Sequence, residues 1–109
     1  MTEIYTPPAH PGELLGEELF RRGLSATHAA RLLALNPAVV QRVVRGRNAL
    51  TPSVAHRLEL AGVGTAREWL DQQAQYDLWR LSFLNFSDVQ PFPPRDDDNR
   101  TGTEGDLAQ

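Results

Sequence analysis

Short amphipathic stretches, separated by turn-forming residues, occupy most of the chain. The first covers residues 11–22, in which four large apolar residues recur at helical spacing: Leu14, Leu15, Leu19 and Phe20. Pro11 suits the first position of a helix, and Gly23 suits the left-handed residue that ends one. The pattern therefore predicts a first helix over residues 11–22.

Two more helices are predicted on either side of a tight turn. Ser25 is a good N-cap for a helix over residues 26–33, and Asn36 followed by proline starts another over residues 37–45. Gly46 ends the third helix. The residues predicted to face the core from this pair are Ala29, Ala30, Leu33, Val40, Val43 and Val44. Residues 25–46 thus have the organisation of a helix-turn-helix.

The fourth and fifth helices begin at two threonines. Thr51-Pro52 repeats the cap-then-proline start, and an inward face of small and branched residues extends to Gly62. Thr65 and Glu68 have the spacing of a capping box, which starts a helix of about five turns. We expect one all-α domain over residues 10–86, preceded by a flexible arm over residues 1–9.

Charge and composition divide the chain into a near-neutral body and an acidic tail. Residues 1–87 carry nine Arg and eight acidic residues, whereas residues 88–109 carry two Arg and six acidic residues. The last segment, residues 87–109, is rich in Pro, Gly, Asp and Asn, so we expect a disordered acidic tail. The chain has no cysteine, no long apolar run and no export pattern, and we expect a cytoplasmic protein.

The third predicted helix has a polar and basic outer side that fits a DNA major groove. Gln41 and Arg42 are the predicted specificity residues, because Gln pairs with adenine and Arg with guanine. Arg45, Arg47 and Asn48 come at the helix end and in the next loop, where phosphate contacts are more common. The other predicted DNA-binding residues are Asn36, Ala38, Thr27 and His28.

Residues 23–62 resemble the helix-turn-helix of the Xre/Cro repressor superfamily, with a five-helix, lambda-repressor-like fold. Three flanking segments, HPGELLGEEL at 10–19, LTPSVAHRL at 50–58 and WLDQQAQYDLW at 69–79, resemble the HigA-type antitoxins of HigBA toxin–antitoxin modules. This resemblance implies a homodimer that binds a palindromic operator, represses its own operon and neutralises a RelE-like, HigB-like toxin that cleaves messenger RNA. The chain departs from the superfamily pattern at Ala34, where Gly is usual, and at Ala26, where Gln is usual.

The sequence argues against metal binding and catalysis. The three histidines lack metal-ligand spacing, no nucleotide-binding or nucleophile motif is present, and we expect no metal, no cofactor and no enzyme activity. His10 is expected to help begin the first helix. We expect Trp69, Tyr76 and Trp79 to pack the fifth helix on the core or on a second subunit, or to contact a toxin.

Two alternatives to the antitoxin function stay open: a free-standing Xre-type regulator without a toxin, and a protein-interaction module that has lost DNA binding.

Overall fold

The computed structural model describes residues 6–96, and this part of the chain contains five α-helices and no strand. The helices are α1 Pro11–Arg21, α2 Ala26–Leu32, α3 Pro37–Val44, α4 Pro52–Leu60 and α5 Ala66–Leu81. The predicted all-α, five-helix fold is confirmed, with helix ends one or two residues from their predicted positions. Residues 1–5 of the predicted arm and 97–109 of the predicted tail lie outside the described residues.

Each helix starts at a side chain that accepts a backbone hydrogen bond from its first turn. His10 accepts through Nδ1 from the Gly12 N–H at 2.8 Å, which confirms its predicted role at the start of α1. The Thr65–Glu68 capping box of α5 is also confirmed, since each side chain bonds to the backbone N–H of the other residue. The remaining predicted caps have the same role: Ser25, Asn36 and Thr51. Local capping therefore sets where the helices begin.

The core is built from small and branched side chains contributed by α1 to α4 and the loop before α4. Its buried members are Leu15, Leu19, Ala29, Ala30, Leu33, Val40, Val43, Leu50, Val54, Ala55 and Leu58. Phe20, which the periodicity grouped with the apolar face of α1, is instead 86% exposed. Each helical residue turns about 100° from the one before it, so Phe20 faces away from the side that buries Leu15 and Leu19.

Helix α1 approaches α3 closely because Gly12 has no side chain. A Cβ atom at Gly12 would overlap the carbonyl oxygen of Val43, which is in α3. One turn further on, Gly16 lies next to Val44, where a Cβ atom would be 3.3 Å from Val44 Cγ1. The third helix is thus seated against α1 through its backbone as well as through its side chains.

Helix α5 is tied to the rest of the domain by two glutamines. Gln73 is buried and accepts through Oε1 from the Leu50 N–H at 2.7 Å, while its Nε2 donates to Asp77. Gln72 donates through Nε2 to the carbonyl oxygen of Ala9 at 2.8 Å, so the end of the predicted arm is held against α5. No helix among residues 6–96 combines the length and the apolar character that crossing a bilayer requires.

Candidate nucleic-acid interface

Helices α2 and α3 pack on each other across a four-residue bend, residues 33–36, and form the predicted helix-turn-helix. The inner sides of the two helices bury Ala29, Ala30, Val40 and Val43. Ala34 in the bend has a φ of +57°, and it is the one non-glycine residue with positive φ among residues 6–96. Ala34, at a position where glycine is usual, therefore has a backbone conformation that residues with a Cβ atom rarely adopt.

The predicted DNA-reading residues on α3 differ in exposure. Arg42 is exposed, whereas Ala38 and Gln41 are half-buried at the helix surface. Asn36 is exposed, its Oδ1 accepts from the Ala38 N–H at 2.8 Å and caps α3, and its amide NH₂ can donate to a ligand. Arg42 is consequently the one exposed side chain of the four that takes no part in capping the helix.

The end of α3 and the next loop bring Arg42, Arg45, Arg47 and Asn48 to one region. The Arg42 carbonyl oxygen accepts from the backbone N–H groups of Arg47 and Asn48, at 2.9 and 3.3 Å. With its amide oriented to satisfy both neighbours, Asn48 accepts through Oδ1 from Arg42 Nε at 3.1 Å and donates to the Arg47 carbonyl oxygen at 3.0 Å. Asn48 is therefore placed to orient Arg42, in addition to any contact of its own.

Positive charge dominates this part of the molecule. Residues 19–58 contain seven arginines and no Asp or Glu. Within the described residues, Arg21 and Arg22 form ion pairs with Glu17 and Glu18 on α1, but Arg42, Arg45 and Arg47 form none. Three exposed, uncompensated guanidinium groups at one end of a helix make a surface suited to a polyanion.

The two predicted contacts on α2 lie near its N-terminus. Thr27 and His28 are both exposed, and the His28 backbone N–H donates to Ser25 Oγ at 3.0 Å as part of the helix cap. Their side chains are thus open to a ligand, and their role in binding stays a prediction.

The three aromatic residues predicted for an interface have different surroundings. Trp69 packs on the core and donates through Nε1 to the Val63 carbonyl oxygen at 2.7 Å, so most of its surface is used within the chain. Tyr76 lies between His10 and Trp79, with ring centroids 4.9 and 5.9 Å away. Trp79 contacts Phe83 edge to face, and its buried Nε1–H has no acceptor in the described chain.

Two long-range contacts next to the helix-turn-helix were not predicted from the sequence. Burial lowers the pKa of His10, opposed by a backbone hydrogen bond to Asn48 and by the charges of Asp77 and Glu13. The His10 ring joins the start of α1 to the loop that follows α3. Arg57 of α4 donates through Nη1 to the carbonyl oxygens of Leu33 and Ala34, 2.9 and 3.1 Å away. Neither contact has a local sequence signal, because each joins residues far apart in the chain.

The described residues offer no cluster of three or more His, Cys, Asp or Glu side chains that would hold a metal ion. The site instead combines α3 with three exposed arginines, Arg42, Arg45 and Arg47, at its C-terminal end. This is the arrangement of a helix-turn-helix protein of the Xre/Cro class.

Comparison with known proteins narrows the class to a family. No known family profile matches the chain. It is 40% identical over 73 residues to virulence-associated protein I of Dichelobacter nodosus, covering 66% of this chain and 68% of that protein. A HigA-family addiction module antidote protein of Coxiella burnetii is 32% identical, with a TM-score of 0.68, over 80% of this chain and 100% of that chain. Pseudomonas aeruginosa antitoxin HigA, solved with the higBA promoter, is 26% identical, with a TM-score of 0.67, over 79% of this chain and 99% of that chain.

The chain belongs to the HigA-type antitoxins of the Xre/Cro helix-turn-helix superfamily. The names of these relatives describe antitoxins and virulence-associated proteins rather than enzymes.

Proposed function

We propose that this protein is a DNA-binding antitoxin that represses its own toxin–antitoxin operon by placing α3 in the major groove. The observation that carries the proposal is the exposed arginine cluster at the end of α3, formed by Arg42, Arg45 and Arg47, which form no ion pair within the described residues. In this reading, Arg42 and Gln41 contact base edges, and Arg45, Arg47 and Asn48 contact phosphates. Ala38 and Asn36 lie at the base-facing start of the helix, and Thr27 and His28 contact the backbone from α2. The related Pseudomonas HigA, solved with promoter DNA, supports the same use of the fold.

A salt titration tests the phosphate contacts. Binding of the protein to the DNA upstream of its own gene is measured by fluorescence anisotropy at several salt concentrations. Each phosphate neutralised lowers the logarithm of the binding constant by about 0.9 per unit of log salt, so Arg45 and Arg47 together contribute a slope of about −1.8 for each bound copy of the chain. A binding constant that does not change with salt would contradict the assignment of this surface.

Operator binding needs two copies of the chain, because one helix of the length of α3 covers only a few base pairs. Two copies related by a two-fold axis place their α3 helices on the two halves of a palindromic operator. We infer that the second copy covers the exposed apolar surface at the end of α5. That surface comprises Leu78, Leu81, Phe83, Leu84, Phe86, Val89 and Phe92, each 44% or more exposed. An exposed apolar area of this extent, next to the Trp79 N–H that has no acceptor in the described chain, is more typical of an interface between protein chains than of a surface exposed to water.

Introducing a charged side chain tests this dimer surface. Phe83→Asp is expected to shift the protein from dimer to monomer in light scattering, because a carboxylate would have to be buried in the apolar contact. Phe20→Asp is the matched control, since Phe20 is also largely exposed but lies on α1. A Phe83→Asp protein that keeps the dimer mass would refute the surface.

We further propose that the protein neutralises a HigB-like toxin of the RelE class that cleaves messenger RNA. Family membership supports this role, and the acidic segment over residues 87–109 suits a basic RNA-binding partner. Co-expression with the product of the adjacent gene, followed by pull-down and a growth assay, is the test. A stable complex and restored growth are expected. Absence of both would leave the free-standing regulator as the better description.

A further inference from the structure

The first four helices end in the same backbone motif, but one of them uses an unfavourable residue. At the C-terminus of each of these helices, the backbone N–H of the second residue after the C-cap donates a hydrogen bond to the carbonyl oxygen of the residue five positions earlier. The four pairs are Leu24 to Leu19, Leu35 to Ala30, Arg47 to Arg42 and Val63 to Leu58. The residue with positive φ is Gly23, Gly46 or Gly62 in three of these turns, and Ala34 in the turn after α2. The turn between α2 and α3 is therefore the one that needs outside support.

Arg57 supplies that support from α4. Its Nη1 donates to the Leu33 carbonyl oxygen at 2.9 Å and to the Ala34 carbonyl oxygen at 3.1 Å, so it holds two consecutive carbonyl groups of the bend, including that of the positive-φ residue. Its Nε donates to Ser53 Oγ at 3.2 Å, one helical turn earlier, which fixes the guanidinium plane. In the part of the chain that the structure describes, these are the only hydrogen bonds between α4 and the helix-turn-helix.

We propose that Arg57 is a positioning residue that sets the orientation of α3 for sequence reading, by holding the strained Ala34 turn. The inference rests on the proposed function of α3. Base readout needs side chains held within a fraction of an ångström, whereas phosphate attraction tolerates small rotations of the helix. Loss of the Arg57 hydrogen bonds should consequently lower the preference for operator DNA more than the affinity for DNA in general.

The test is a double-mutant cycle between Arg57→Met and Ala34→Gly. Methionine keeps the apolar stem of arginine without its donors, and glycine removes the strain at position 34. The affinities of all four proteins for operator DNA and for a scrambled duplex are measured by anisotropy over a range of salt. Arg57→Met is expected to reduce the operator preference by about tenfold, and by clearly less when position 34 is glycine, as coupled sites do.

The outcomes separate positioning from a direct phosphate contact. A direct contact would weaken binding to both duplexes by a similar factor and lower the salt slope by about one, which would overturn the proposal. An unchanged operator preference in folded Arg57→Met would also overturn it. If Arg57→Met does not fold, recovery of folding and operator preference in the Ala34→Gly background supports the proposal, and failure to recover refutes it. Wild-type protein without operator preference would refute the proposed function itself.

Discussion

The close contact between α1 and α3 predicts that Gly12→Ala destabilises the domain and displaces the reading helix. The added Cβ atom would be 2.6 Å from the Val43 carbonyl carbon and closer still to its oxygen, and neither is a flexible side-chain end. Overpacking of this kind costs about 1–3 kcal/mol, and the better helix propensity of alanine offsets at most about 1 kcal/mol of it. Because the added atom overlaps a backbone carbonyl group, the cost lies at the upper end of this range, and we expect a net loss of about 2 kcal/mol in the free energy of unfolding.

Gly16→Ala is the matched control on the same face of α1. Its Cβ atom meets only Val44 Cγ1, at 3.3 Å, and this methyl group can yield by a few tenths of an ångström. A loss of about 2 kcal/mol lowers the midpoint of thermal unfolding by about 10 °C in a domain of this size. The circular dichroism melt of Gly12→Ala should therefore fall by about that amount, while the melt of Gly16→Ala stays level or rises. Equal melting temperatures for the two variants would refute the close α1–α3 contact.

Two further predictions concern buried polar contacts. Because burial lowers the pKa of His10, its contribution to stability is complete above the ordinary histidine pKa of 6.5 and is lost as the pH falls towards the lowered folded-state value. Asparagine in His10→Asn can still cap α1 but has no group that is protonated in this pH range. The free energy of unfolding in urea should therefore fall less for His10→Asn than for wild type between pH 7.5 and 5.5. An equal fall would exclude His10 protonation as the cause of the loss of stability. Gln73→Leu leaves the Leu50 N–H buried without an acceptor and should cost about 1–3 kcal/mol in urea unfolding, against little change for the exposed Gln75→Leu; equal effects would contradict this contact.

The helix boundaries could be predicted from sequence because short-range chemistry fixes them. Ser25, Asn36 and Thr51 each bond to a backbone N–H two or three residues later, so the signal for a helix start lies within one turn. The spacing of Val40 and Val43 likewise fixed which side of α3 faces the core. The exposed side with Arg42 followed from the same periodicity.

Contacts between distant parts of the chain could not be predicted in this way. Arg57 reaches carbonyl groups 23 and 24 residues earlier, and Gln73 reaches a backbone N–H 23 residues earlier. Both depend on how α4 and α5 pack, which periodicity does not specify. The exposure of Phe20 has the same origin, because an apolar residue at the edge of a helix face is buried only if another element covers it. The departure at Ala34 was visible in the sequence, but its partner was not.

The central claim is that α3 reads operator DNA through its basic end. The most direct measurement compares Arg42→Ala/Arg45→Ala with wild type on the protein's own promoter and on a scrambled duplex. Arg67→Ala, an exposed arginine on α5, controls for the loss of charge. A lost guanine contact costs about 1–3 kcal/mol, so promoter affinity should fall by about ten- to hundredfold, with the preference over scrambled DNA largely lost. Unchanged promoter preference in the double variant would contradict the claim.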